Sequence, residues 1–468
     1  MRTLGAVNLS DLRIGQNTVN MRVGFLLRST IYSYVLALIT QSNNAHGHEH
    51  HTEALISWLR TEKGYFNSKL EMRRVDANDS ESYFGMFTTS KIRAKELLLH
   101  IPASTLIKPD EEEELTGVMH CQTVRTLAAE LKRGNESQYA PYVNYLLDTQ
   151  ATGQLPSAWT QAGQSLLLDV LGHDKNGKQI LPPFEAFDWI TDEWYDNCDG
   201  SDDDLEEQAA LLVIQRSWDD LMIPIYDMMS HRNGKWLNTE SSPVHEGSHI
   251  KVRASRDIEA GEEIYTTYNF CEDCGGRKTT YGTPEILRDY GFVELYPQRW
   301  IFPVEEVAFE IDTVYDDAGI ATDDFEVTEW IGTKPSVEGI EALEKQYERL
   351  IEVRETKLTS RDISVREHEW NTVVDYHKAM VLALSIAIEE ATDDERCLEE
   401  GTCNLVNRYK DLDSYPGGFD DDVNYQAESC ETMDFYPWDD SVRFDLVPIY
   451  SLHPNYSPTP EQMCPSNV

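Results

Sequence analysis

The sequence predicts an α+β protein of more than one lobe, and three observations carry that reading. The chain has 468 residues, more than one compact core ordinarily holds, which suggests roughly three lobes. Short strand-like runs at Leu97–Ile101, His249–Val252 and Ile264–Tyr268 lie on both sides of a polar, helix-textured stretch. Beyond them, apolar residues recur at helical spacing, first at Ile340, Leu343, Tyr347, Leu350 and Ile351 and then at Trp370, Val373, Val374, His377, Leu384 and Ile388.

Taken in order, residues 1–45 carry targeting information. Arg22 and Arg28 precede an apolar stretch from Ile31 to Ile39 and a polar exit from Gln41 to Ala45, the layout of a secretory signal peptide. A retained signal anchor and an amphipathic first helix are the alternatives, and Met21 offers a start that puts the charges at the terminus. The expected destination is the secretory pathway or an organelle reached through it, with a cytoplasmic location as the alternative. Eight cysteines and sequons at Asn78, Asn135 and Asn455 are compatible with an oxidising, glycosylating compartment. The patch of His46, His48, His50 and His51 is assigned no function.

Residues 52–110 read as a small mixed lobe, with Leu55, Ile56 and Leu59 on one side of a short helix and the strand Leu97–Ile101 closed by Pro102. Residues 111–210 read as an insertion of short helices, interrupted at Leu155-Pro156 and Leu181-Pro182-Pro183 and by the acidic loop Asp199–Asp204. Strand character returns in 211–300, where Glu259–Glu262 forms a turn. Residues 301–400 are expected to form a helical lobe. Residues 401–468 are acidic and contain Cys403, Cys430 and Cys464, and are expected to be a stapled or partly unstructured tail.

The 83 acidic and 40 basic residues give a formal charge of -43. Such a surface repels nucleic acid and steers a basic protein toward itself. No segment other than the targeting stretch is apolar enough over roughly 18 residues to span a bilayer. Cys271-x-x-Cys274 is half of a zinc site at most, and no second close pair follows, so no metal is expected. The oligomeric state is left open.

Four segments carry a resemblance. They are Ile56–Leu59 with Gly85–Ile92 and Leu99–Pro102; Ala140–Leu146 with Leu155–Trp159; Gln215–Trp218 with Ile223–His231; and Ala260–Tyr268 with Glu285–Glu294. In this order they resemble SET-domain protein methyltransferases of the type that modifies the Rubisco large subunit and, in animals, actin. The similarity runs from about Thr52 to Ala391. It implies a SET core of short strands split by the helical insertion and followed by a helical substrate-binding lobe. It also implies S-adenosylmethionine as cofactor and a protein lysine as methyl acceptor, with histidine as the second choice.

The resemblance assigns roles residue by residue. Tyr268 matches the catalytic tyrosine, and Tyr290 lines the same pocket. Arg216, Ser230 and His231, with Tyr290, match the positions that hold the cofactor, and Asp227 helps shape the acceptor pocket with the two tyrosines. Ser82 and Phe84 flank the family's Gly-x-Gly hairpin and would offer main-chain contacts. Three departures stand out: Tyr83 replaces the first glycine, Ser230 replaces an asparagine, and a longer Cys271-containing loop joins the two tyrosines. Serine lacks the paired donor and acceptor of an amide.

The chemistry suits these residue types. Methyl transfer from a sulfonium is an in-line displacement that needs a neutral amine at near-attack distance. Walls of tyrosine lower the pKa of an inserted lysine by desolvation, while their hydroxyls orient its nitrogen. Two rival readings remain: a SET fold that binds a partner without turnover, motivated by Tyr83 and Ser230, and a secreted structural glycoprotein. Calorimetry with S-adenosylmethionine separates them from an enzyme. For the targeting segment, the mature chain is expected to start near Ala45 or His46, which N-terminal sequencing of the native protein checks; an intact cytosolic chain containing Ile31 to Ile39 would remove the secretory reading.

Overall fold

A computed structural model describes residues 51–75, 84–109, 119–150, 153–184, 189–218, 220–242, 249–269, 281–302, 307–316 and 319–400. The targeting segment, Ser82, Tyr83, the Cys271 and Cys274 loop, the sequon residues Asn78 and Asn455, and the acidic tail lie outside them.

Helix α1 covers 51–61 and turns Leu55 and Leu59 into the core, both fully buried, as their four-residue spacing requires. Strands β1 (Tyr65–Phe66), β2 (Leu70–Arg74), β3 (Phe84–Thr88) and β4 (Leu97–Ile101) follow. Helices α2 (Cys121–Arg133), α3 (Ala140–Thr149), α4 (Gln161–Leu171) and α5 (Asp204–Arg216) occupy the expected insertion, with a π-helix over Trp189–Asn197. Strands β5 (Ser217–Trp218), β6 (Leu221–Met222), β7 (Ser230–His231), β8 (Thr239–Ser241), β9 (Ile250–Ala254) and β10 (Tyr265–Thr266) complete the first half.

These strands make several small sheets. One is antiparallel in the order β1-β4-β9-β8, and its β9 alternates buried Ile250, Val252 and Ala254 with exposed Lys251 and Arg253. Strands β2 and β3 form a hairpin, with Gly85 opposite Arg73. Strands β7 and β10, distant in sequence, pair in parallel with Tyr265 opposite Ser230 and Thr266 opposite His231. That pairing brings the third and fourth segments of the resemblance side by side.

Helix α6 (Thr283–Tyr290) is delimited by its own sequence. The Glu285 carboxylate accepts from Gly282 N at 2.8 Å, Pro284 sits in the first turn, and Gly291 ends the helix at φ 78°. A Cβ at Gly291 would lie 2.4 Å from the Gln154 carbonyl oxygen, so glycine is required on two counts.

The second half departs from the helical expectation. Strands β11 (Gln298–Phe302), β12 (Val307–Tyr315) and β13 (Ala321–Trp330) form an antiparallel sheet before the helices begin. Helices α7 (Val337–Lys357) and α8 (Glu367–Glu400) then pack on each other through Leu343, Leu350, Val373, Leu384 and Ile388. They share one core with α4, β11 and β12, so the expected insertion is divided between two cores: α2, α3 and α5 join the strands of the first half. A disulfide, Cys121–Cys198, ties the start of α2 to the end of the π-helix region; its pairing was not legible from cysteine spacing.

One buried carboxylate joins α4 to α8. Glu369, 0% exposed, accepts from Thr160 N at 2.7 Å, Thr160 Oγ1 at 2.6 Å and Arg366 N at 3.0 Å. Thr160 is the N-cap of α4. At the other end of α4, Arg349 of α7 donates to the carbonyls of Val170 at 2.6 Å and Asp169 at 3.3 Å. Glu369→Ala is expected to leave these part-buried donors without their acceptor and to cost about 1 kcal/mol, measured as a lower urea midpoint; an unchanged midpoint would show that α4 does not depend on this latch.

Candidate active site

The site forms where β7, β10 and α6 meet. Tyr268, Tyr290, Ile286 and Phe292 make a separate buried cluster, with Tyr281 at its edge. The Tyr268 ring stacks on His231 at 4.6 Å and meets Tyr290 edge-on at 5.3 Å, and both tyrosines are 0% exposed. Its hydroxyl donates to the Met229 carbonyl oxygen at 2.8 Å. That bond commits the hydroxyl proton and fixes where the oxygen lone pairs point.

His231 holds Tyr268 in place. Its Nδ1 accepts from the Tyr268 backbone N–H at 3.0 Å, so the ring proton sits on Nε2, which faces Glu294 Oε1 at 3.3 Å. Glu294 also accepts from Asn269 Nδ2 at 3.2 and 3.1 Å, Asn233 Nδ2 at 3.3 Å and Thr283 Oγ1 at 2.8 Å. Both nitrogens of His231 are therefore used inside the protein. Its part is to position Tyr268, and any contact with a cofactor falls to its main chain.

Ser230 is likewise occupied. Its hydroxyl donates to Glu263 Oε1 at 2.5 Å, and Tyr265 donates to Glu263 Oε2 at 2.9 Å. Burial pushes the Glu263 carboxyl and the Tyr265 phenol above their usual ranges. Gly85 lies against the same carboxylate: a Cβ there would sit 2.5 Å from Glu263 Oε1. The glycine of the hairpin thus leaves room for the approach of Glu263. Phe84 is buried beside it, with the Arg74 guanidinium 5.1 Å from its ring.

Asp227 and Arg216 form a third group. Arg216 Nη1 donates to Asp227 Oδ2 at 3.1 Å and to the Asp227 carbonyl oxygen at 2.9 Å, and Arg216 Nη2 meets Gln150 Oε1 at 2.5 Å. Tyr142 donates to Asp227 Oδ2 at 2.6 Å. Burial works against the Arg216 charge, but Asp227, Tyr145 and Tyr142 outweigh it and hold the guanidinium pKa above its ordinary value. Arg216 Nε and Asp227 Oδ1 are buried with no hydrogen-bond partner among the described residues. The segment is strained: Ile225, fully buried, has φ 72° and ψ -39°, a conformation that costs a β-branched residue about 1–3 kcal/mol and concentrates at functional sites.

The structure brings Tyr268, Tyr290 and His231 into one cluster and joins Arg216 to Asp227. Sequence reasoning singled out none of Glu263, Glu294, Tyr281, Asp289 and Tyr142 for the site. A buried tyrosine ordinarily needs a partner for its hydroxyl, which was the one signal for Tyr142; the carboxylates gave none.

The SET domain family model matches residues 83–269, a segment that includes Tyr268 and stops before α6. No curated protein matches the chain. Among solved structures it is similar to the structure of Rubisco LSMT bound to AdoMet, at 13% identity and a TM-score of 0.45, over 75% of this chain and 93% of that one. It is also similar to the SET domain of LSMT bound to MeLysine and AdoHcy, at 13% identity and a TM-score of 0.44, over 77% of this chain and 96% of that one. The SET domain match runs across strands β7 and β10 and takes in Ser230, His231 and Tyr268.

Proposed function

We propose that this chain is an S-adenosylmethionine-dependent protein methyltransferase that acts on a lysine side chain. The observation that carries the reading is Tyr268: inside the SET segment, fully buried, flanked by Tyr290 and Phe292, with its hydroxyl donating to Met229 O at 2.8 Å. An oxygen fixed in this way can orient an amine nitrogen, and aromatic walls strip the amine of water.

The residues present fit the cofactor. Its amino-acid end carries a carboxylate and an ammonium, and the unpartnered Arg216 Nε and Asp227 Oδ1 are a buried donor and a buried acceptor. When bound, S-adenosylmethionine supplies an electrophilic methyl group. The chain's own residues do the rest: Tyr268 orients the acceptor nitrogen, His231 fixes Tyr268, and Tyr290 and Phe292 exclude water. The formal charge of -43 supports a basic protein as substrate.

The direct test incubates purified protein with labelled S-adenosylmethionine and its own cell lysate, then identifies the labelled residue. Absence of any labelled protein would count against turnover and favour a binding module. Tyr268→Phe keeps the ring and removes the hydroxyl. It is expected to lower turnover by about two to three orders of magnitude, with the cofactor dissociation constant unchanged in calorimetry. Loss of the bond to Met229 O is expected to cost on the order of 1 kcal/mol of stability. A variant as fast as the parent would remove Tyr268 from the chemistry, and one that unfolds would make it a core residue.

A further inference from the structure

The Tyr290 hydroxyl is one link in a longer hydrogen-bond chain. Tyr281 Oη lies 3.1 Å from Tyr290 Oη and 2.6 Å from Asp289 Oδ2. Tyr281 is placed as donor to both oxygens but has one hydroxyl proton; once the carboxylate takes it, the Tyr290 hydroxyl can turn to donate to the Tyr281 oxygen. Arg288 holds the far side of Asp289, with Nε 2.6 Å from Oδ1 and Nη2 3.0 Å from Oδ2, and its guanidinium lies 5.0 Å from the Trp189 ring. Tyr290 is 0% exposed, whereas the Asp289 and Arg288 side chains are 8% and 19% exposed. The chain of bonds thus runs from a sealed phenol to a carboxylate at the margin of solvent.

Methyl transfer needs such a route. A lysine arrives as an ammonium, with an ordinary pKa of about 10.4 and no lone pair to attack with. Its proton must leave a pocket whose walls are aromatic. Asn269, Asn233 and Thr283 commit their hydrogen bonds to Glu294, and His231 has both nitrogens engaged. Among the described residues, Tyr281 links the cluster to the Asp289 carboxylate.

Resting on the methyltransferase reading, we infer that Tyr290, Tyr281 and Asp289 form the proton outlet of the acceptor site. The N–H bond of the ammonium breaks with its electron pair kept on nitrogen, and the proton passes to the Tyr290 oxygen. The Tyr290 proton passes to Tyr281, and the Tyr281 proton to Asp289, which releases it to solvent. Both phenols end neutral, Asp289 ends as a carboxylate, and the net change is one ammonium converted to amine with one proton in solution. Tyr281 and Asp289 touch no reacting atom, so both are positioning residues that act through Tyr290.

The charged and titratable groups facing Asp289 are Arg288, Tyr281 and Glu285. Burial pushes the Glu285 carboxyl up to about 7, inside the range of any rate profile. Tyr281→Phe leaves Glu285, Arg288 and Asp289 in place and is therefore the more specific variant; Asp289→Asn is the second.

The test measures kcat/KM against pH for full-length parent and variants, with the protein labelled in the lysate experiment as acceptor. Calorimetry of acceptor binding in two buffers of different ionisation heat counts the protons released. For both variants the expected result is a loss of about a hundredfold near neutral pH that recovers as pH rises, with fewer protons released and cofactor affinity unchanged. A loss of the same size at every pH, as a structural defect gives, overturns the outlet, and so does a Tyr281→Phe profile equal to the parent's. Should Asp289→Asn fail to fold, Tyr281→Phe alone decides. A parent that methylates nothing removes the methyltransferase reading and the outlet with it, whereas an active parent with unaffected variants removes the outlet alone.

Discussion

The site depends on a carboxylate whose hydrogen-bond donors among the described residues are amides, a hydroxyl and an imidazole. Glu294 is 2% exposed and is surrounded by His231, Asn233, Asn269 and Thr283. Burying an ionised carboxyl is costly unless its oxygens are filled with hydrogen bonds. Here the donors come from four places: the end of β7, the turn after it, the third residue past β10, and the first residue of α6. Satisfying one side chain therefore fixes three elements with respect to each other. The effect reaches Tyr268 through the imidazole, because the proton that His231 gives to Glu294 leaves Nδ1 to accept the Tyr268 N–H.

The buried carboxylates of Asp227, Glu263 and Glu294 are each stabilised differently. Asp227 is offset by Arg216 and the Tyr142 hydroxyl, Glu263 has two hydroxyls, and Glu294 has amides, a hydroxyl and an imidazole. Burial raises both the Glu263 and the Asp227 carboxyl above the usual range, and the hydroxyl donors at Glu263 and the Arg216 charge at Asp227 oppose that shift. Ser230 takes part in this arrangement. Where the family resemblance led to an amide reaching toward the cofactor, the shorter side chain instead satisfies a buried acid of its own protein. The departure from the family pattern thus has a structural partner in Glu263.

Legibility followed the physics of each element. Strands β4 and β9 and the turn at Gly261 were visible because alternation and glycine at φ 91° leave direct marks in sequence. The run Ile264–Tyr268 forms ladder pairs only at Tyr265 and Thr266. Its last residues point their groups elsewhere, Thr267 Oγ1 to Asn233 and Tyr268 N to His231, and composition cannot reveal that. The sheet of β11 to β13 was missed because Glu310, Asp312, Asp324 and Glu326 interleave with Phe309, Ile311, Phe325 and Val327. Period-two burial was present, but acidic residues are poor strand formers in isolation and hid it. Tyr268, Tyr290 and His231 were found through the resemblance. Glu263 and Glu294 were not, since a glutamate in sequence is ordinarily a solvated one.

The helices of the second half belong to the site more closely than a separable lobe would. Helix α6 presents two faces: Ile286 and Tyr290, four residues apart, enter the tyrosine cluster, while Leu287 enters the core shared by β11, β12, α4 and α8. Trp300 of β11 lies 5.7 Å from Tyr376 of α8, and Tyr376 donates to the Pro182 carbonyl at 2.7 Å. Strand β11, on which α6 rests, is thus backed by α8. Removing the C-terminal helices would expose Leu287, Val293, Trp300 and Phe302 to water at once, and apolar area of that size is costly to expose. Tyr290 and the Thr283 donor to Glu294 sit at opposite ends of α6, so loosening its support disturbs both the tyrosine cluster and the carboxylate that orients it. Tyr268 lies on the segment that the SET model matches, but its geometry is maintained in part from outside it.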